Sequence, residues 1–134
     1  MSIYRNTKTL LSLTAAAAQP QDGTVYAILP KQGDGVSEAD QRFRVFFDGV
    51  MTGGAGTPTV DARLVTSHDR TNWIVVAAMT QLTGANPSRH EFIEVTALGP
   101  YVKVVTLLGG STLPNHTATA VLASNGSFEL KAVS

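Results

Sequence analysis

Imidazoles are the first side chains to weigh, since a histidine can ligate a metal or move a proton near neutral pH. The chain has three, His68, His90 and His116, and no two stand at the close spacing that sets a ligand pair on one helix or strand face. Ser67-His68-Asp69 contains the residue types of a hydrolytic triad, but adjacent side chains diverge and no nucleophile-elbow sequence surrounds the serine. Glycosidase chemistry needs two carboxyls roughly 5 to 10 Å apart across a cleft. The candidates, Asp61, Glu91 and Glu94, read instead as solvent-facing strand residues. Asp22, Asp34, Glu38 and Asp40 form a loose acidic group without EF-hand spacing. Gly53-Gly54-Ala55-Gly56 lacks the lysine and following helix of a phosphate loop, and reads as a mobile loop tip. The expectation is a protein that is not an enzyme, with no catalytic residues, no metal and no cofactor.

Composition narrows the classes further. A chain of 134 residues fits one domain, long enough to bury a core without staples. With no cysteine there is neither a disulfide scaffold nor a thiolate site. Ten Lys and Arg balance ten Asp and Glu, so no general field attracts phosphate backbones, and no nucleic acid is expected as a partner. The same neutrality removes the self-repulsion that keeps small proteins apart. Residues 10–18 lean apolar, but Ser12 and Thr14 interrupt them, and the stretch falls short of the roughly 18 residues of a membrane span. A soluble, unprocessed chain with no membrane partner is the reading.

The elements that must carry any site are strands. Short runs rich in Val, Ile, Tyr and Phe, at 24–29, 42–50, 59–66, 73–79, 90–97, 101–108, 117–122 and 127–132, are separated by Gly, Pro, Asn and Asp clusters. In 59–66, Val60, Ala62 and Leu64 alternate with Asp61 and Arg63, as a half-buried strand requires. Residues 73–79 are continuously apolar and read as a buried strand, while the faces of 90–97 are ambiguous. Asn125-Gly126 favours the positive φ angles of a tight hairpin, so 117–124 and 127–132 are expected to pair. The fold class is therefore all-β, a two-sheet antiparallel sandwich of jelly-roll or immunoglobulin-like type with about eight strands over residues 24–134. Residues 1–23 differ. They read as an N-terminal arm with a first strand or short helix at 8–18, ended by Pro20.

The stretch Ser67-His68-Asp69-Arg70-Thr71-Asn72-Trp73, following the alternating strand at Val60 and leading into Ile74-Val75-Val76, resembles a pattern of β-sandwich proteins in tailed-phage virions. There the order is Ser, any residue, Asp, Gly, Thr, Asn, Trp at a hairpin, with a Tyr-Val-Arg-Val-like strand downstream. Leu98-Gly99-Pro100-Tyr101-Val102-Lys103-Val104 matches that second element, and the start at Thr9 is also similar to such proteins. The resemblance covers residues 60–108 and departs from the pattern at Arg70, which stands where glycine is usual. If the turn needs positive φ there, the arginine costs about 1 kcal/mol. Physically the motif closes a hairpin: Asp69 and Asn72 bond the turn backbone, and Trp73 is expected to plug the end of the sandwich.

The resemblance implies a head decoration or cement protein on the capsid exterior, associating with itself as a trimer and with the major capsid protein. The arm residues Ile3, Tyr4, Arg5 and Lys8 are the expected assembly contacts. Two other readings stand beside it. One is a carbohydrate-binding module stacking sugars on Trp73, Tyr26 or Tyr101; the other is a head-fibre, tail or baseplate component of the same fold.

Overall fold

A computed structural model describes residues 4–16, 21–30, 40–95 and 98–133. Eleven strands appear among them: β1 (Asn6–Ala16), β2 (Gln21–Asp22), β3 (Tyr26–Pro30), β4 (Phe43–Thr52), β5 (Thr59–Ser67), β6 (Ile74–Ala78), β7 (Leu82–Thr83), β8 (Ser88–Val95), β9 (Tyr101–Gly109), β10 (Asn115–Ser124) and β11 (Phe128–Ala132). One sheet has the order β1-β10-β4-β8, the other β11-β3-β9-β5-β6, with β2 also on β9 and β7 also on β5. All pairings are antiparallel.

This order distinguishes between the two topologies that the sequence leaves open. Two strands are broken in two: β2 and β3 both lie along β9, and β6 and β7 both lie along β5. Merging each pair gives the interleaved order of two Greek keys, the jelly roll, with β11 added beside β3. The extra strands beyond the expected eight are thus β1 and the short pieces β2 and β7.

Alternation builds the core. Val45, Phe47 and Met51 of β4 point inward, and so do Val60, Ala62 and Leu64 of β5, Val102, Val104 and Leu108 of β9, and Ala120 and Leu122 of β10. Each is an apolar residue at an even spacing along its strand, so the two inner faces interdigitate and remove apolar surface from water. Phe43 and Phe128 meet edge to face with centroids 5.4 Å apart, joining the two sheets at one end.

Three local expectations are corrected. Asn125-Gly126 is not a hairpin turn: neither residue has positive φ, β10 pairs with β1 and β4, and β11 crosses to the other sheet to pair with β3. Long-range bonds decide this. Asn125 Oδ1 accepts the Arg42 N–H (2.7 Å) and its Nδ2 donates to the Asp40 carbonyl (3.2 Å), while the buried Ser124 hydroxyl donates to the Arg42 carbonyl and accepts from Gln41 Nε2 and the Gly126 N–H. These bonds tie the end of β10 to the start of β4. Second, β6 is an edge strand, with Ile74 and Val75 exposed and only Ala77 of its five residues buried. Third, the glycine-rich loop is tied down, since Ala55 and Thr112 exchange backbone hydrogen bonds of 3.0 and 3.2 Å. Gly110 makes that approach possible: its φ is 123°, and a Cβ there would lie 2.9 Å from the Ala55 carbonyl oxygen.

Residues 6–16, expected as an arm with a first strand or short helix at 8–18, form the β1 edge strand, which pairs with β10 from Ser124 to His116. The register slips between Thr9 and Leu11, where Leu10 turns into the core.

Candidate interaction surface

The Asp69 turn comes first because the sequence singles it out. Asp69 Oδ1 accepts the backbone N–H groups of Thr71 and Asn72, both at 2.9 Å, together with the Ser67 hydroxyl, and Oδ2 accepts Asn72 Nδ2 at 2.8 Å. The Ser67 hydroxyl also accepts the Arg70 N–H at 2.9 Å. The N–H of Asn72, then that of Thr71, holds the Asp69 carboxyl well below its ordinary range. Since the folded value is the depressed one, the stabilisation is complete above the unfolded value and is lost as pH falls through the folded value. Asp69→Asn should therefore melt below wild type by a constant margin from pH 5 to 7, a gap that narrows below about pH 4; thermal melts across this range check it.

Arg70 has φ 64° in this turn, the left-handed conformation that glycine adopts without strain. Its guanidinium lies 5.4 Å from the Tyr101 ring centroid. Relief of about 1 kcal/mol of strain outweighs an exposed cation–π contact of about 0.5 kcal/mol, so Arg70→Gly should gain about 0.5 kcal/mol in denaturant melts. Trp73 is half-buried and lies outside the core set, with Lys103 Nζ 4.5 Å from its ring centroid. It does not fill the sandwich interior.

The other candidates for chemistry are dispersed. His68 is exposed in the turn, His90 stands on an outer face and His116 is buried in β10. Glu91 accepts the Thr80 N–H (2.6 Å), Asp61 accepts Gln81 Nε2 (3.0 Å), and Glu94 is paired with Arg44. Among the described residues no three His, Cys, Asp or Glu side chains gather as a metal site, and no helix is long and apolar enough to cross a membrane. Asp34 and Glu38 lie outside the described residues.

What the fold does assemble is the outer face of the sheet β1-β10-β4-β8. Its register lays the outward side chains in rows. One row is Thr7, Ala123, Arg44, Glu94; the next is Thr9, Val121, Phe46, Phe92; the third is Ser12, Thr119, Asp48, His90; then come Thr117, Val50 and Ser88. The second row is an apolar stripe, in which the Phe46 and Phe92 rings pack 5.6 Å apart at 44°. Phe92 is 52% exposed and Val50 47%. Rows of polar side chains flank the stripe: Arg44 pairs with Glu94 across the strands on one side, and His90 stands beside Asp48 on the other.

Tyr4 joins this face. The Arg44 guanidinium lies between two rings, 4.0 Å from the Tyr4 centroid and 4.5 Å from that of Phe92, and the Tyr4 hydroxyl donates to Glu94 at 3.3 Å. Of the other arm residues, Arg5 is exposed, and Lys8 lies in β1 beside a shallow cleft shared with Leu29, Glu129, Leu130 and Lys131. Ile3 lies outside the described residues. Sequence reading passed over Arg44, Phe46 and Phe92. A signal was available for the first two, since Val45 and Phe47 inward forces 44 and 46 outward.

No family model and no curated protein matches the chain. Among solved structures, one described as "CBM4 structure and function", a carbohydrate-binding module, is similar at 15% identity over 79% of this chain and 71% of that one, with a TM-score of 0.34. The structure of infectious bursal disease virus Gx strain is similar at 10% identity over 90% of this chain, with a TM-score of 0.29, and this chain spans 32% of that one. At these scores neither likeness bears on what the chain binds; the strand order itself establishes a two-sheet antiparallel β-sandwich.

Proposed function

We propose that the chain is a structural protein of a phage virion, a decoration protein on the capsid exterior that associates with itself and binds the major capsid lattice through the outer face of β1-β10-β4-β8. The observation that carries this reading is the pairing of Arg44 with Glu94 beside the aromatic stripe on that face. An interface must bury its centre, and a charge left without its counter-ion there costs several kcal/mol. Here Arg44 already faces Glu94 within the sheet, so a partner can cover the Phe46–Phe92 stripe without stranding either of those two charges. Aromatic residues and arginine at the centre with hydroxyls around them is the composition of an interface core and its rim. Thr7, Thr9 and Thr117 supply the exposed hydroxyls. Binding is repeated over a lattice, so modest individual contacts add to firm attachment.

The test is co-sedimentation of the purified chain with heads of the phage that encodes it, stripped of accessory proteins. Saturable binding at a fixed number of copies per capsid protein is expected; no binding at high concentration would refute the reading.

A carbohydrate-binding role is the second reading, favoured by one observation: the half-exposed Phe92 ring has polar neighbours, His90 and Glu94, two residues away on the same face. A sugar stacked on the ring would meet both. A glycan array with wild type and Phe92→Ala separates the two readings.

A further inference from the structure

Asn125 is the one asparagine of the sequence that precedes a glycine, and that pair has a chemistry of its own. The backbone nitrogen of the following residue can attack the asparagine side-chain amide. It gives up its proton to solvent, the N–Cγ bond forms, the Cγ–Nδ2 bond breaks and Nδ2 leaves as ammonia. Water then opens the resulting succinimide at either carbonyl, to aspartate or to isoaspartate, and no oxidant or reductant is consumed. Glycine favours the attack, because no Cβ shields the nitrogen and the backbone turns freely.

Here the fold occupies every atom that the reaction needs. The nucleophile, the Gly126 nitrogen, donates to the buried Ser124 hydroxyl at 3.1 Å. Oδ1 of the amide under attack accepts the Arg42 N–H at 2.7 Å, and the leaving nitrogen, Nδ2, donates to the Asp40 carbonyl at 3.2 Å. The Asn125 N–H is held too, by the Arg42 carbonyl at 3.3 Å. Gln41 closes the site from the side. Its Nε2 donates to the Ser124 hydroxyl at 3.0 Å and to the Ser127 carbonyl at 3.3 Å, and it packs so close over the buried Gly126 that a Cβ there would lie 3.1 Å from it. To reach Cγ, the Gly126 nitrogen must leave Ser124 and turn about a backbone that these bonds fix.

We infer that Asn125 is a deamidation site that the fold keeps closed, and that it reacts only when the joint between β10, β4 and β11 opens. The conversion is one-way. Aspartate at 125 loses the Nδ2 donor and sets a carboxylate oxygen against the Asp40 carbonyl. Isoaspartate also routes the main chain through the side-chain carbon, adding a methylene where the chain leaves one sheet for the other. Neither product can remake the joint, so an opening caught by the reaction leaves the sandwich permanently looser at that end. This holds whichever partner the chain binds, and it does not rest on the proposed function.

Peptide mapping by mass spectrometry tests it, on the full chain incubated at mildly alkaline pH in parallel in buffer and in denaturant. In denaturant Asn125 should convert before any other asparagine, and Gly126→Ala should slow it. In buffer wild type should convert at least about 100-fold more slowly, because several hydrogen bonds must open together first. Gln41→Ala, at a partly exposed side chain, and Ser124→Ala, each verified as folded at the incubation temperature, should speed conversion in buffer by about tenfold or more and leave the rate in denaturant unchanged. Asn125→Asp, the simpler product, should melt below wild type. Equal wild-type rates in the two conditions, another asparagine converting first in denaturant, or a rate in buffer indifferent to both substitutions would each overturn the inference. An Asn125→Asp chain as stable as wild type would overturn the loosening.

Discussion

Phe92→Glu is expected to weaken binding to stripped phage heads by about 30-fold or more, because truncating a central aromatic anchor costs about 2 kcal/mol or more and each 1.4 kcal/mol is tenfold. The glutamate acts in two ways. It removes a ring that lies against both Phe46 and the Arg44 guanidinium, and it places a carboxylate two residues from Glu94 on the same face, so covering the surface would bury a charge without a partner. Phe92→Tyr keeps the ring and should keep most of the binding. Because the Phe92 side chain is half in water, thermal melts of both variants should stay within a few degrees of wild type. Co-sedimentation at fixed salt measures the ratio. Equal binding by wild type and Phe92→Glu would remove this face from the contact.

Phe47→Ala is the counterpart in stability. Phe47 neighbours Phe46 in β4, yet alternation turns it to the other side of the sheet, where it is 1% exposed among the core residues of β5, β9 and β10. Deleting a buried phenyl ring loses its transfer energy and leaves a cavity, at a cost of about 3–5 kcal/mol. Against a total of about 5–15 kcal/mol for a domain, that should lower the melting temperature by about 10–20 °C. Phe46→Ala, one residue away, should melt within a few degrees of wild type while losing head binding. Calorimetry on the pair checks the assignment of faces; a Phe46→Ala as unstable as Phe47→Ala would contradict it.

The contrast between those two phenylalanines shows which parts of the fold are legible in the chain. Period-two alternation in 43–52 and 59–64 identifies both the strands and their inward residues, because a one-residue slip would turn every side chain over. Neighbour choice is not legible in that way. Arg44 and Glu94 meet across 50 residues, and the chain has no local mark that β4 takes β8 and β10 as neighbours. Asn125-Gly126 shows the same limit, since its hairpin chemistry was outweighed by bonds to Asp40 and Arg42 more than 80 residues back. An apolar run such as 73–79 does not reveal whether it is central or at an edge, and β6 proved to be an edge. The N-terminal strand was ambiguous because Ala15 and Ala16 suit a helix as well; β10, lying open beside it, decides for a strand.

The Asp69 turn was the most local feature and the most legible. The Asp69 carboxylate accepts the Asn72 N–H within a span of three residues, and the Asn72 side chain, expected to bond the turn backbone, donates to that carboxylate instead, so short-range chemistry suffices. Arg70 was marked by its departure from the glycine of the resembling pattern, and its φ of 64° is the conformation that the glycine would serve.

Hydroxyl-radical labelling of the head-bound chain tests the central claim most directly, because phenylalanine and tyrosine report solvent contact residue by residue. Phe92, Phe46 and Tyr4 should lose reactivity on binding, while Tyr101 of the opposite sheet and Trp73, in the turn before β6, keep theirs. Full reactivity of Phe92 on saturated heads, with protection confined to Tyr101 and Trp73, would contradict the account.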